Sequence, residues 1–343
     1  MTAVALHSMG QGIEVQNSSI DCGQVMFQVP VVAEYELRNT AKSPFTIVDV
    51  RTSCGCTSVD YPHKAIESGE NFKLRVTYDA KQMGHFNKRV ALYGNAEKTP
   101  VVLTLKGIVV EEVVDYVGDY PFMLGNLMAD ADNIEFDDVN EGDILHQSFH
   151  VKNCTEQPVQ PVVMHLPDYL SADVSPSKIM PGRSGLITVS LDSRKLHDYG
   201  LTQTTVYLGQ FPGDKVGANK EIPVSAVLLP AFPASDKAVA APQLQLSAKS
   251  LDLGSFNGKN KLKGEIMLQN TGKAELEISN LQMFTTGLQV SLNKTRLAPG
   301  EVARIKVTAH ARELKAARIK PRILMITNDP QNAKVVISIQ TKE

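Results

Sequence analysis

Three sets of residues recur along this chain in the same order and at nearly the same spacing. The first set reads Ile20-Asp-Cys-Gly23, Ile134-Glu-Phe-Asp137 and Leu251-Asp-Leu-Gly254, which start 114 and 117 residues apart. The second set, Asn39-Thr40, Asn153-Cys154 and Asn270-Thr271, keeps both spacings, and the third, Gly69-Glu70, Gly182-Arg183 and Gly300-Glu301, follows at 113 and 118. These periods exceed those of solenoid repeats and equal the size of an independent domain. The 343 residues are therefore predicted to hold three copies of one domain plan.

Each copy shows the alternation of apolar and other side chains that is typical of a β-strand. The alternation precedes the second set at Tyr35 and Leu37, at Phe149 and Val151, and at Ile266 and Leu268. A period of two indicates a strand with one buried face. We count about seven short strands per copy and no helix apart from a turn at 310–317, a pattern expected of sandwiches. The predicted fold is all-β, with three tandem immunoglobulin-like β-sandwich domains.

The repeated Asn and Gly residues are interpreted as fold residues. Asn tolerates positive φ and its side chain can hydrogen-bond the backbone, so the Asn of the second set is expected to close a strand into a turn. The Gly of the third set follows Ser or Pro and is expected to form a turn that leads into the next long strand.

The phase of the repeats predicts the domain boundaries. We expect a leader or signal remnant at 1–13, Ig-like domains at 14–111, 112–230 and 244–343, and a Pro/Ala-rich linker at 231–243. Few residues separate the first two domains, which predicts a fairly rigid join. The Pro/Ala-rich linker is expected to be semi-extended, so the third domain is expected to swing.

Composition and charge argue against several classes of partner. The net charge of −2 gives no overall attraction to nucleic acid, and the 6% aromatic share without Trp weakens a base- or sugar-stacking role. No apolar run approaches the ~20 residues that span a bilayer. Ser8 and Gly10 suit the −3 and −1 positions of an export cleavage site, although a disordered leader explains residues 1–10 equally well.

Cys54-Gly-Cys56 is the one reactive constellation in the sequence. Residues two apart in a strand have Cα atoms ~6.6 Å apart, at the upper edge of disulfide geometry, so a bridge needs a bend. Gly55 permits that bend because it lacks Cβ. Three interpretations stay open, namely an unpaired thiol pair in a turn, a labile redox disulfide and a soft-metal site for Cu or Zn. His63 and His85 are the nearest further ligands, but neither spacing matches a zinc signature.

The string Arg51-Thr-Ser-Cys-Gly-Cys-Thr57 carries a family resemblance. Residues ~14–110 resemble a bacterial family of unknown function marked by Ser-Cys-Gly-Cys-Thr, which is similar to Hydin and major-sperm-protein Ig-like domains. The third domain resembles the same class more loosely, through Leu251–Gly254, 268–272 and Ala298–Glu301. The resemblance implies an exported or envelope-associated protein of Gram-negative bacteria, in the periplasm or at the cell surface.

No common enzyme motif occurs in the chain, neither a Gly-rich phosphate loop nor a His-Glu-x-x-His or Gly-x-Ser-x-Gly string. The leading hypothesis is a non-enzymatic exported scaffold or adhesion-type protein that binds another protein through Ig-like loops or sheet edges. One alternative is a thiol redox or copper- or zinc-handling protein centred on Cys54 and Cys56. A purely structural spacer is the other.

Overall fold

The computed structural model describes residues 12–95, 99–232, 241–316 and 320–342. Their regular structure is almost entirely β, which confirms the predicted fold class. The predicted leader at 1–13 and linker at 231–243 lie mostly outside the described residues.

The first sandwich carries eight strands within the described residues. They are β1 (Ile13–Val15), β2 (Ser19–Met26), β3 (Val31–Asn39), β4 (Ile47–Thr52), β5 (Thr57–Asp60), β6 (Asn71–Tyr78), β7 (Gly84–Gly94) and β8 (Val101–Val110). Two sheets face each other, with strand orders β1-β3-β6-β5 and β2-β8-β7-β4. Alternate side chains of both sheets fill one apolar core, in which Tyr35, Leu74 and Leu103 are fully buried. Strands β4 and β5 are edge strands of opposite sheets.

The second sandwich has nine strands in the described part of the chain. They are β9 (Phe122–Leu124), β10 (Leu127–Ala129), β11 (Ile134–Asn140), β12 (Ile144–Asn153), β13 (Val162–Met164), β14 (Leu170–Ser175), β15 (Ser184–Asp192), β16 (Gly200–Gly209) and β17 (Glu221–Leu229), with short 3-10 helices at Ser193–Lys195 and Ala218–Lys220. The sheet orders are β14-β15-β12-β10-β9 and β11-β17-β16-β13. A separate apolar cluster fills the space between these sheets.

The third sandwich also has nine strands among its described residues. They are β18 (Leu244–Leu246), β19 (Ser250–Ser255), β20 (Lys261–Asn270), β21 (Leu276–Met283), β22 (Leu288–Leu292), β23 (Arg296–Leu297), β24 (Val302–His310), β25 (Arg322–Thr327) and β26 (Lys334–Lys342). Its sheets run β18-β20-β24-β22 and β19-β26-β25-β21-β23 around a third core. The helix α1 (Ala311–Ala316) lies where the sequence predicts a turn.

The first repeated set marks a β-bulge. In every domain the strand that carries it (β2, β11 or β19) pairs in parallel with the domain's last strand, and the register shifts within the set. The fourth residue has positive φ in each copy, 61° at Gly23, 47° at Asp137 and 75° at Gly254. Bulges need such a conformation, which Gly adopts freely and Asp tolerates. The repeat at this position therefore encodes a kink in the edge strand.

The second and third sets form one hydrogen-bonded cluster in each domain. Asn39, Asn153 and Asn270 are fully buried at strand ends. Their Nδ2 atoms each donate to two carbonyls at 2.7–3.0 Å, those of Ser43 and Ile66, Gln157 and Ile179, and Ala274 and Leu297. Asn39 Nδ2 also reaches the Glu67 carbonyl at 3.3 Å. Each Oδ1 accepts the N–H two residues later, at 2.9–3.0 Å. The Gly of the third set, whose φ lies in the left-handed region, donates its N–H to the backbone carbonyl of the Asn in each domain.

The expected role of these Asn residues is confirmed in one part and wrong in another. Their side chains do bind the backbone, as the sequence predicts. None of the three has positive φ, because each continues a strand and its amide is buried beneath the turn. The Asn therefore satisfies buried carbonyls from the next segment, and the Gly supplies the positive φ.

The first and second sandwiches are joined by direct hydrogen bonds. Ser177 N donates to Asp21 O at 2.8 Å, and Asp21 N donates to Ser177 Oγ at 2.9 Å. On the connector, Val114 exchanges two 3.0 Å hydrogen bonds with the Gln24 side chain, and Asp115 pairs with Arg183 at 2.8 Å. These contacts hold the connector to both sandwiches, in agreement with the fairly rigid join predicted here.

The junction of the second and third sandwiches is packed, so the expected swing of the third domain is wrong. Val227, Leu229, Leu324 and Ile326 form a buried apolar cluster across it. Gln282 accepts the Leu201 N–H at 2.7 Å and returns a bond to the Leu201 carbonyl at 3.1 Å. The composition of a linker does not report the apolar faces of the domains that it joins, and here those faces meet.

Candidate functional site

The Cys54–Cys56 turn connects the two sheets of the first sandwich. It leaves edge strand β4 and enters edge strand β5, and the two cysteines form a disulfide with a Cα–Cα distance of 5.3 Å. Ser53 and Arg89 exchange two hydrogen bonds on one side of the turn, at 2.9 and 3.1 Å. On the other side Asp79 N donates to the Cys56 carbonyl at 3.1 Å. Both sulfur-bearing residues are partly exposed, and Gly55 between them is exposed.

The structure gives Gly55 a different role from the one expected. Its φ lies outside the left-handed region, and an added Cβ would meet no atom within 4 Å. The turn itself shortens the Cα–Cα distance below that of a strand. The bend is therefore open to other residues, and Gly55 acts through the flexibility that it gives the chain.

Thr57 is the polar neighbour of both sulfur atoms. Its side chain is buried, and its Oγ1 atom lies 3.5 Å from Cys54 Sγ and 4.0 Å from Cys56 Sγ. A disulfide sulfur carries no hydrogen, so the hydroxyl is the only donor available between these atoms. The sequence shows Thr57 in the motif but not that its hydroxyl faces the sulfurs.

Three loops lie side by side at the same end of the first sandwich, and together we call them the loop end: residues 27–30, 53–56 and 79–83. Val31 and Thr57 each pair with Tyr78, which lies on the strand between theirs. Each of these residues adjoins one of the loops, so the three loops lie side by side, in line with three neighbouring strands, which we call rows. Hydrogen bonds link the rows, from Asp79 N to Cys56 O and from Gln28 N to Ala80 O, at 3.1 and 3.0 Å. Rows in a sheet lie ~4.8 Å apart, so the disulfide is about 10 Å from the 27–30 turn.

Exposed apolar side chains lie in the loop end and in the strand residues next to it. Met26, Val29, Val32 and Met83 are 46, 50, 58 and 47% exposed, and we call these four residues the apolar patch. Met26 and Met83 flank Val110 by register, because Met26 pairs with Val110 and Gly84 pairs with Val109. Exposed apolar side chains scattered singly are ordinary, whereas these four come from separate strands and loops to the same end of one sandwich.

The two histidines considered as further metal ligands lie in different surroundings. His63 packs against Tyr61 with ring centroids 4.6 Å apart, and His85 lines a cleft between the first two sandwiches. In the residues that the structure describes, no group of three or more His, Cys, Asp or Glu side chains is placed to hold a metal ion.

The cleft between the first two sandwiches has a volume of about 920 Å³ and was missed by the sequence reasoning. His150 on its wall stacks on Tyr116 at 3.6 Å and bonds Asp130 through Nδ1 at 2.9 Å. His150 lies with His146 on the face of β12 that points away from the core, and the ring of Tyr116 on the connector partly covers His150. Lys106 approaches Asp21 and Asp173 at 3.8 Å, one from each sandwich. Lys106 thus links the two sandwiches, and the stacking of His150 on Tyr116 holds the connector to the second one, which assigns these groups to joining the domains.

The two cysteines outside the turn are free. Cys22 packs against the core of the first sandwich, and Cys154 is exposed at a turn. Burial, assisted by the neighbouring Asp21 charge, raises the pKa of the Cys22 thiol to about 12.

We expect the raised pKa of Cys22 to make it less reactive toward alkylation than Cys154. The thiolate is the nucleophile, so Cys22 stays protonated and unreactive while the exposed Cys154 reacts. Treatment of the native protein with iodoacetamide near pH 8, followed by peptide mass mapping, should show alkylation of Cys154 alone. Equal labelling of Cys22 without denaturant would contradict the burial seen here.

Three sandwiches of this type define a tandem Ig-like protein, and comparison with known families places two of them. Residues 13–109 match a family described as "Protein of unknown function (DUF1573)", and residues 242–342 match "HYDIN/CFA65/VesB-like, Ig-like domain". The resemblance predicted from the sequence, to a bacterial family of unknown function related to Hydin-type Ig-like domains, is thereby confirmed.

Comparison with solved structures supports the fold. A protein of unknown function from Porphyromonas gingivalis W83 is 22% identical, with a TM-score of 0.52 over 64% of this chain and 100% of that chain. WR4, an MSP family member from C. elegans, is 12% identical over 29% of this chain and 97% of its own, with a TM-score of 0.20. The first similarity supports the fold alone, and the second is too low to carry an argument. No curated protein matches the sequence.

None of the helices in the described segments has the length and apolar character needed to cross a bilayer.

Proposed function

We propose that the chain is a non-enzymatic scaffold that binds another protein at the loop end of its first sandwich. The observation that carries the proposal is the apolar patch, formed by Met26, Val29, Val32 and Met83. Burial of apolar side chains on association is favourable, and residues of this kind at the centre of an interface account for much of the binding energy.

The sheet edges beside the loop end support the same function. Strands β4 and β5 are edge strands, and the Cys54–Cys56 turn joins them. An edge strand offers unpaired backbone groups to an added strand, while neighbouring pockets or patches supply specificity. A partner that pairs with β4 or β5 would contact the loop end at the same time.

Export to the periplasm or cell surface is part of the proposal. The Cys54–Cys56 disulfide supports it, because disulfides persist in oxidising compartments and are rare in the cytosol. Cell fractionation of the native producer should recover the chain outside the cytoplasm, and recovery with cytoplasmic markers would contradict this part.

Photo-crosslinking from the apolar patch tests the binding face. We expect a photoreactive residue in place of Val29 to give a discrete adduct with a second protein in native cells. The same residue in place of Val302, which is 40% exposed in the third sandwich, serves as the matched control and should give none.

Disruption of the patch gives the second arm of that experiment. With Val32→Lys and Met83→Lys added, we expect adduct yield to fall about 10-fold, because charge replaces apolar contact area. An adduct of equal yield from both positions, or one whose mass is that of two copies of this chain, would overturn the proposal.

A further inference from the structure

We propose that the Cys54–Cys56 disulfide is a thiol–disulfide exchange site whose substrate is a dithiol. The site goes beyond partner binding, because it assigns a chemical step to one turn of the first sandwich. That the dithiol belongs to a protein seated on the loop end rests on the function proposed above, whereas the exchange itself does not.

The position of the disulfide in the chain argues against a purely structural role. The bridge spans a sequence separation of 2, so it constrains only three residues in the unfolded chain. Stabilisation by a cross-link grows with the length of the loop that it closes, which makes this contribution small. Backbone hydrogen bonds to Ser53 and Cys56 hold both ends of the turn without the sulfur–sulfur bond.

Access and placement suit an incoming thiolate. Both cysteines are partly exposed, and nothing lies within 4 Å of where a Gly55 side chain would begin. The apolar patch lies about two strand rows away, where a protein substrate would find contact area. In contrast, the thiol of Cys22 is partly buried against the core of the sandwich, and its raised pKa holds it protonated.

The Thr57 hydroxyl gives the exchange a direction. It lies nearer Cys54 Sγ, at 3.5 Å, than Cys56 Sγ, at 4.0 Å. A hydroxyl that donates to a developing thiolate stabilises the leaving sulfur. The geometry therefore makes Cys54 the leaving group and Cys56 the sulfur that is attacked.

The exchange takes two successive attacks by the substrate. A substrate thiolate attacks Cys56 Sγ, a mixed disulfide forms, the Cys54–Cys56 bond breaks, and its electron pair stays on Cys54 as a thiolate. The second substrate thiolate then attacks its own sulfur in the mixed disulfide and releases the Cys56 thiolate. The substrate dithiol is oxidised to a disulfide, this chain gains two electrons, and the two substrate protons pass to Cys54 and Cys56.

The test uses the full native chain and dithiothreitol as the dithiol. Acid-quenched alkylation and peptide mass mapping measure the rate at which Cys54 and Cys56 become free thiols. We expect complete reduction without denaturant and an unchanged circular dichroism spectrum. Resistance of the bridge in the folded protein, or reduction only with unfolding, would overturn the proposal.

Variants of Thr57 separate exchange from mere accessibility. Thr57→Val keeps the shape of the side chain and removes the hydroxyl, and we expect it to slow reduction about 10-fold, as loss of a bond to a charged group does. Thr57→Ser restores the hydroxyl and should restore the rate. Reduction of all three proteins at one rate would remove Thr57 from the mechanism and overturn the assigned direction.

Gly55→Ala provides an equilibrium readout. The added Cβ meets nothing within 4 Å, but it restricts the open dithiol loop. In dithiothreitol redox buffers we expect the disulfide to be favoured about 2- to 5-fold over the parent chain. An unchanged equilibrium would contradict a loop that opens on reduction.

The soft-metal alternative is decided with the same reduced protein. Stoichiometric uptake of Zn(II) or Cu(I) by the dithiol form, lost in Cys54→Ser, would assign the pair to metal binding and overturn the exchange role. Crosslinking at Val29 can fail while reduction by dithiothreitol succeeds, so the two proposals are tested separately.

Discussion

Asn39→Ala is expected to lower the free energy of unfolding of the first sandwich by about 3 kcal/mol. The side chain is fully buried, donates to the carbonyls of Ser43 and Ile66 and accepts the Ala41 N–H. Truncation removes these bonds and leaves a cavity where the buried amide was, while the Ile66 carbonyl keeps only its bond from the Phe45 N–H. The cost combines several lost hydrogen bonds with the lost packing of a buried side chain.

Hydrogen exchange resolves this effect in a chain of three domains. Amides of the core strands β3 and β6 should exchange about 100-fold faster in Asn39→Ala, while those of the third sandwich keep their rates. Asn95→Ala is the matched control in the same domain. The Asn95 side chain makes two hydrogen bonds, accepting from the Thr46 N–H and donating to the Pro44 carbonyl. It is exposed, so water replaces these bonds and the expected loss is below about 1 kcal/mol. Equal effects of the two substitutions would show that burial of Asn39 is not what matters.

Much of the fold could be predicted because its turn chemistry repeats. The alternation around Tyr35 and Leu37 reports directly which face of a strand is buried, and Gly69 reports a positive φ. The buried state of Asn39 could not be predicted, because a sequence shows a polar residue at a strand end without showing which carbonyls reach it. The bulge at Gly23 was found as a repeated motif whose cause only the strand register reveals.

The sequence predicts which residues form the candidate site but not how they are arranged to react. The sequence singles out Cys54 and Cys56, and the turn geometry brings their Cα atoms to 5.3 Å. The placement of the Thr57 hydroxyl, and the alignment of three loops at one end, depend on which strands are neighbours in the sheet. The placement of residues far apart in the chain at one end of a domain leaves no periodic signal, and the apolar patch combines residues from separate strands and loops.

The packed junction of the second and third sandwiches was not foreseen for the same reason. Strand β25 is buried along nearly its whole length, since Ile323 and Met325 face the third core while Leu324 and Ile326 face the second sandwich. A continuous apolar run is typical of a strand covered on both faces. The apolar run Ile323–Ile326 is therefore the sequence signal that another domain covers this sheet.

Leu324→Asp is expected to detach the third sandwich from the second. The substitution places a carboxylate in a cluster formed by Val227, Leu229 and Ile326, where the structure provides no cationic partner among the described members. Burying an unpaired charge costs more free energy than the apolar contacts of this junction contribute. The two sandwiches are therefore expected to separate, with the loss of about 3–5 kcal/mol of apolar packing. Since Leu324 points away from the core of its own domain, that domain should stay folded.

The Leu201 amide reports the separation directly. It donates to the Gln282 side chain of the other sandwich at 2.7 Å, so its exchange should become fast when the junction opens. Small-angle scattering should show a larger radius of gyration, and core amides of β20 and β24 should keep their protection. Val302→Asp, on an exposed position of the opposite sheet, should change none of these. Retained protection of Leu201 in Leu324→Asp would show that hydrogen bonds rather than apolar packing hold the junction, whereas loss of protection in β20 would show that Leu324 supports its own domain.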